Sequence, residues 1–233
     1  MSIDDIKKYI TFNYFGKFYL SKKKDFENFF IKTIINIIEI YKIKYFPKKI
    51  IVNFECKQYN DSSGNCSFGG TWSNIRKKTH MPILLLQAWN LPKKDYKFFL
   101  DKIVVHEIFH LFIPSIKENG CFSEGFVEFL TYKYNNNLDE IIKNQEIYNK
   151  LENNEYKIHK YPYYYTPLYI YKIYLKNPDK IDNLINIMIF DFNKNYKNYY
   201  KIYKREDIIN YNIIFKKLFS KKCNNNILHK LKK

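Results

Sequence analysis

The pentad His106-Glu107-Ile108-Phe109-His110 constrains this chain more than any other feature. Residues i and i+4 share one face of an α-helix, a turn apart. Two imidazoles so placed can bind a single Zn²⁺, and a Glu beside the first can reach a water on that ion. The pentad thus predicts a helix and the chemistry of one of its sides. Upstream residues extend that side, since Phe99, Ile103, His106 and His110 advance by steps of four, three and four. Asp95 stands where a cap would start the helix, and Pro114 where a break would end it. The competing reading is a partly buried helix that carries two His by coincidence.

Around this helix the chain alternates between recognisable patterns. Apolar residues at Phe26, Phe29, Phe30, Ile34, Ile37, Ile38 and Tyr41 predict a helix over 25–45, ended by Pro47. Residues 50–57 suit a strand. Asn60 to Asn65 is turn-rich, and Cys66 to Trp72 predicts a short extended piece whose glycines leave backbone accessible. Pro82 to Gln87 reads as a buried strand. After Asn119-Gly120, Ser123 is placed to cap a helix from Glu124 to Tyr134, which Asn135-Asn136-Asn137 breaks. The remainder reads as mainly helical, with no internal repeat.

A chain of 233 residues with 46% hydrophobic and 19% aromatic content can build a core, as one large domain or two lobes. Its net charge of +17 invites a nucleic-acid partner. Yet only Arg76 and Arg205 are arginine, the residue best suited to bidentate phosphate and base recognition. Lys, Asn, Ile, Tyr and Phe all have AT-rich codons, so coding bias accounts for much of the charge. Nucleic acid is therefore set aside as the main partner. Attraction to an acidic surface or substrate stays open. From residue 191 onward, 12 Lys/Arg face 3 Asp/Glu, which reads as a solvated basic face. Cys56, Cys66, Cys121 and Cys223 form no zinc-ribbon or redox spacing. The first residues hold no apolar signal region and no run is long enough for a membrane span, so an intracellular, cytoplasmic setting is expected.

Two His leave a catalytic zinc site incomplete, because such sites take three protein ligands and keep one position open. A third His in the metzincin pattern is ruled out, since Ile113 and Ile116 occupy its Gly and His positions. The downstream segment Ser123-Glu124-Gly125-Phe126 offers a carboxylate. Here the chain resembles the gluzincins, the thermolysin- and aminopeptidase N-like metallopeptidases, whose third ligand is a Glu in such a segment on the following helix. The resemblance implies Glu124 as third ligand, with Glu128, four residues on, as its rival. If Glu124 ligates, Glu128 is free to accept the remaining ring N–H of His106 or His110 and fix its tautomer. The resemblance covers about residues 66–175, and its specific parts are the pentad and the Ser-Glu-Gly-Phe segment.

The family likeness further implies an α+β, zincin-like fold, with a small mixed sheet and the pentad helix in an upper lobe (1–112). A mainly helical lower lobe (113–233) would carry Glu124 and the basic tail. It implies one Zn²⁺ per chain, a peptide or protein substrate, and Glu107 as general base. Within Tyr163 to Leu175 it aligns Tyr165 with the oxyanion-stabilising Tyr, Tyr163 and Tyr164 being its neighbours and His159 a substitute. It places Gly69, Gly70, Thr71 and Trp72 on an edge strand that pairs with substrate backbone. The alternative there is an ordinary hairpin with Trp72 in the core. Cys121 reads as a bystander thiol, and His80 and His229 as structural or exposed. Two other functions remain: a zincin-fold protein that binds metal without turnover, and a basic nucleic-acid-binding module. No Gly-x-Met-Glu-Asn-like segment precedes the pentad to hold a substrate amine, which leans toward endopeptidase action.

Overall fold

The structure is a computed structural model that describes residues 3–16, 20–47, 49–56, 67–73, 83–89, 93–113, 120–143 and 157–199. For part of these, including 67–69, 71–73, 120–123 and 157–165, the backbone alone is described. The fold is mixed α/β, with one four-stranded sheet and a larger helical content. It divides into two compact units, Met1–Ile113 with Phe192–Lys201, and Pro114–Asp191 with Ile202–Lys233.

In the first unit, α1 (Ile3–Lys7) leads into β1 (Ile10–Gly16) and then α2 (Leu20–Ile40). Strands β2 (Ile50–Cys56), β3 (Ser67–Ser73) and β4 (Ile83–Trp89) follow. The sheet order is β1-β2-β4-β3, with β1, β2 and β4 parallel and β3 antiparallel to β4. Alternation decides which face is covered. Val52 and Phe54 of β2 stand opposite Leu84 and Leu86 of β4, and all four are buried. Asn13 and Asn53 are also register partners, and the Asn13 Nδ2 donates to Asn53 Oδ1 across 3.0 Å.

Helix α2 covers the apolar face with Phe26, Phe30, Ile34 and Ile37, all fully buried at helical spacing. Each such burial contributes about 1.5–3 kcal/mol. Phe54 is the meeting point, with its ring 4.8 Å from Phe26 and 5.8 Å from Phe99. The helix begins earlier than its apolar spacing predicted and stops at Ile40, well before Pro47. Lys42 ends it with a left-handed φ of 52°, and Ile43 N–H returns to Ile38 O at 2.9 Å.

The pentad lies at the end of one run of helix: a 3₁₀ turn at Lys93–Asp95, α3 (Tyr96–Phe98), a π-helical stretch at Phe99–Val104, and α4 (Val105–Phe112). In the π stretch Val105 N–H reaches Leu100 O, five residues back. Asp95 is itself in helical conformation and makes no side-chain cap bond, so it is not the cap that its position suggested. Ile113 turns extended (φ −121°, ψ 102°), as a residue before proline prefers. Along α4 only His110 is not buried. Phe109 packs on Tyr41 and Phe112 on Phe46, with ring centroids 5.9 and 6.4 Å apart.

The second unit is helical. Helix α5 (Gly120–Tyr134) starts three residues before Ser123, which therefore sits inside the helix instead of capping it. Asn136 closes it at φ 55°. Helix α6 (Lys157–Lys176) packs along α5, where Tyr174 lies 5.7 Å from Phe129 and under the Lys133 ammonium. Lys133 also pairs with Asp182 of α7 (Pro178–Tyr199). Pro178 occupies the first position of α7, where its missing N–H costs nothing. Ile181, Leu184, Ile185 and Met188 form its buried stripe. Among the described residues no helix is long and apolar enough to cross a membrane.

Candidate metal centre

One turn of α4 separates His106 from His110, and their rings tilt toward each other with centroids 4.8 Å apart. Their Nε2 atoms come within 3.1 Å. Two nitrogens each ~2.05 Å from one tetrahedral zinc stand about 3.3 Å apart. The pair thus already has nearly the bite of a metal chelate. His106 is buried and His110 partly exposed, so the pair opens on one side.

Glu107 follows His106 and is also buried, at 7% exposure. A carboxylate in such a place is uncommon, because desolvating its charge is costly unless partners or a function compensate. What lies against it is β3. A Cβ added to Gly70 would fall 2.4 Å from Glu107 Cγ and 2.8 Å from Oε1. No side chain fits at position 70 unless Glu107 or the strand moves.

Gly69, Gly70, Thr71 and Trp72 all lie in β3, the end strand of the sheet. Gly70 is opposite Leu86 and Trp72 opposite Leu84. Among the described residues no strand pairs with the outer edge of β3. The side chains of Thr71 and Trp72 lie outside the described part.

The remaining candidates belong to the second unit. Glu124 and Glu128 sit one turn apart on α5, both half-buried. Gly125, between them, is buried, as are Phe126 and Val127. Tyr165 is a position on α6, followed by buried Thr166 and Leu168. Its side chain, and those of His159, Tyr163, Tyr164 and Cys121, lie outside the described part. His80, His229, Cys66 and Cys223 are outside the described residues altogether.

Sequence reasoning missed two features that shape the centre. The π-helical stretch ahead of α4 has no signature in the apolar spacing. The only sequence signal for the fit of Gly70 over Glu107 is the Gly69-Gly70 pair, which equally suits accessible backbone. No protein family, curated protein or solved structure matches this chain.

Proposed function

We propose that this chain is a zinc-dependent metallopeptidase of gluzincin type, built on a zincin-like α+β fold. The observation that carries the reading is the His106–His110 pair, with Nε2 atoms 3.1 Å apart, beside a buried Glu107 under an end strand. An accidental pentad has no reason to bury a carboxylate there. The donors proposed for one Zn²⁺ are His106, His110 and Glu124, each able to offer one ligand atom. Two neutral imidazoles and a carboxylate suit zinc and leave a fourth position open.

When bound, the ion polarises the scissile carbonyl and makes water acidic enough to attack near neutral pH. Glu107 takes the proton of the attacking water and passes it to the leaving amine. Burial keeps its carboxylate away from bulk solvent. An extended peptide lies along β3, its backbone pairing with the outer edge at Gly69–Trp72 while side chains fill pockets. Glu128 orients a ligand imidazole. Tyr165 donates to the developing oxyanion.

The test is cleavage of a diverse peptide library by the wild type beside Glu107→Gln, read by mass spectrometry. The substitution keeps size and removes the base. Cuts made by the wild type alone support the reading, and their positions separate endopeptidase from aminopeptidase action. Identical output from the two proteins overturns it. Zinc retained without cleavage then leaves a metal-binding protein lacking turnover. Salt-sensitive DNA or RNA binding that survives His106→Ala leaves a basic nucleic-acid-binding module.

A further inference from the structure

On β3, positions 68, 70 and 72 stand opposite Ala88, Leu86 and Leu84, three residues buried on the helix-covered face of the sheet. Position 70 thus belongs to the covered face, where a β-branched or aromatic residue is the ordinary choice. It holds Gly instead. A glycine in a strand loses more backbone entropy on folding and packs no side chain. Flexibility does not explain the choice, because position 70 is in regular register between its neighbours. Space does. The closest atoms to a Cβ built there are Glu107 Cγ at 2.4 Å, Cδ at 2.7 Å and Oε1 at 2.8 Å. Contact begins at Cγ, near the root of the side chain. Turning the carboxylate tip aside would not relieve it, and Glu107 is buried with little room to turn.

We propose that Gly70 is a positioning residue. The volume left by its missing side chain is the seat of the Glu107 side chain, so the end strand sets where the general base stands. The catalytic consequence rests on the peptidase reading above, while the steric coupling of the two residues does not. An alanine at 107 would remove the three atoms nearest to a side chain at 70.

The experiment compares Gly70→Ala in the wild type and in Glu107→Ala, reading melting midpoint, zinc content, kcat and KM. In the wild-type background the substitution overpacks the contact and lowers the midpoint by roughly 2–10 °C. In Glu107→Ala the same change costs less than half as much, because the opposing atoms are gone. Zinc content is expected to stay at the wild-type level. Peptide hydrolysis by Gly70→Ala falls about 100-fold in kcat with KM little changed, as for a misplaced base.

Equal melting costs in the two backgrounds overturn the proposal. So does an unchanged kcat, or a rise in KM alone, in a Gly70→Ala enzyme that holds its zinc. If Gly70→Ala fails to fold, rescue of folding in the Glu107→Ala background supports the proposal and absence of rescue overturns it. If the wild type hydrolyses nothing, the peptidase reading fails, and the melting comparison alone decides the coupling of Gly70 to Glu107.

Discussion

His106 and His110 present their Nε2 atoms to each other at 3.1 Å, from consecutive turns of a helix otherwise buried along its length. The packing of Phe109 and Phe112 fixes the rotation of α4, and with it the side of the helix on which both imidazoles stand. Donors held by packing lose little freedom when they ligate, which lowers the cost of binding.

The proposed zinc site can be tested by binding. The wild type is expected to take up one equivalent in equilibrium dialysis. His106→Ala and His110→Ala should each weaken binding more than the roughly 10–100-fold lost when only an outer partner of a ligand is removed. Glu107→Gln should bind zinc as the wild type does. Undiminished uptake by either His variant would show that the pair is not the metal site.

Phe54 tests how the sheet supports that helix. It is 1% exposed and touches Phe26 of α2 and Phe99 of the π-helical stretch. Phe54→Ala removes the ring both helices pack on and should cost about 3–5 kcal/mol in chemical denaturation. Phe15→Ala, at an exposed position on β1, should cost under about 0.5 kcal/mol. Similar losses at the two positions would mean that the core is not organised around Phe54.

Much of this architecture was legible because its causes are local. The pentad is five consecutive residues, and β2, β3 and β4 show as short extended segments between turns. Distant causes leave no such local mark. Strand β1 carries mixed exposure and is a strand because Ile10 to Gly16 pair with Ile50 to Cys56, forty residues on. Ser123 had the chemistry of a cap, but α5 had already begun at Gly120. The π-helical stretch keeps apolar residues at spacings that an α-helix also permits. The tightness at Gly70 depends on Glu107, thirty-seven residues away.

Alkaline pH provides a test of the second unit. The Tyr171 hydroxyl donates to Asp139 at 2.9 Å. Burial first, then the bond to Asp139 and its negative charge, raise the phenol above its ordinary 10.0. A raised pKa means that the folded state holds this proton more tightly than the unfolded state. The stability it contributes is complete below the unfolded value and is lost as pH rises through the folded one. Tyr171→Phe should cost about 1 kcal/mol near neutral pH. The gap between wild type and variant should shrink above about pH 10. A gap unchanged from about pH 8 to about pH 11 would contradict this coupling.

Lys42 is exposed and holds φ at 52° in the turn that ends α2. A left-handed conformation costs an L-residue roughly 1–2 kcal/mol and costs glycine almost nothing. Against that, glycine brings a looser unfolded chain, which takes back part of the gain. The backbone matters more here than the side chain, because Lys42 O accepts from Asn193 and Lys42 N–H donates to Glu39 O. Lys42→Gly keeps both bonds and should raise stability by a few tenths to about 1 kcal/mol. Lys42→Val keeps the bonds too but adds a β-branch where φ is positive, and should lose about 1 kcal/mol or more. The two variants, measured by urea denaturation, are therefore expected to move in opposite directions. If both destabilise equally, the ammonium and not the backbone is what the turn requires.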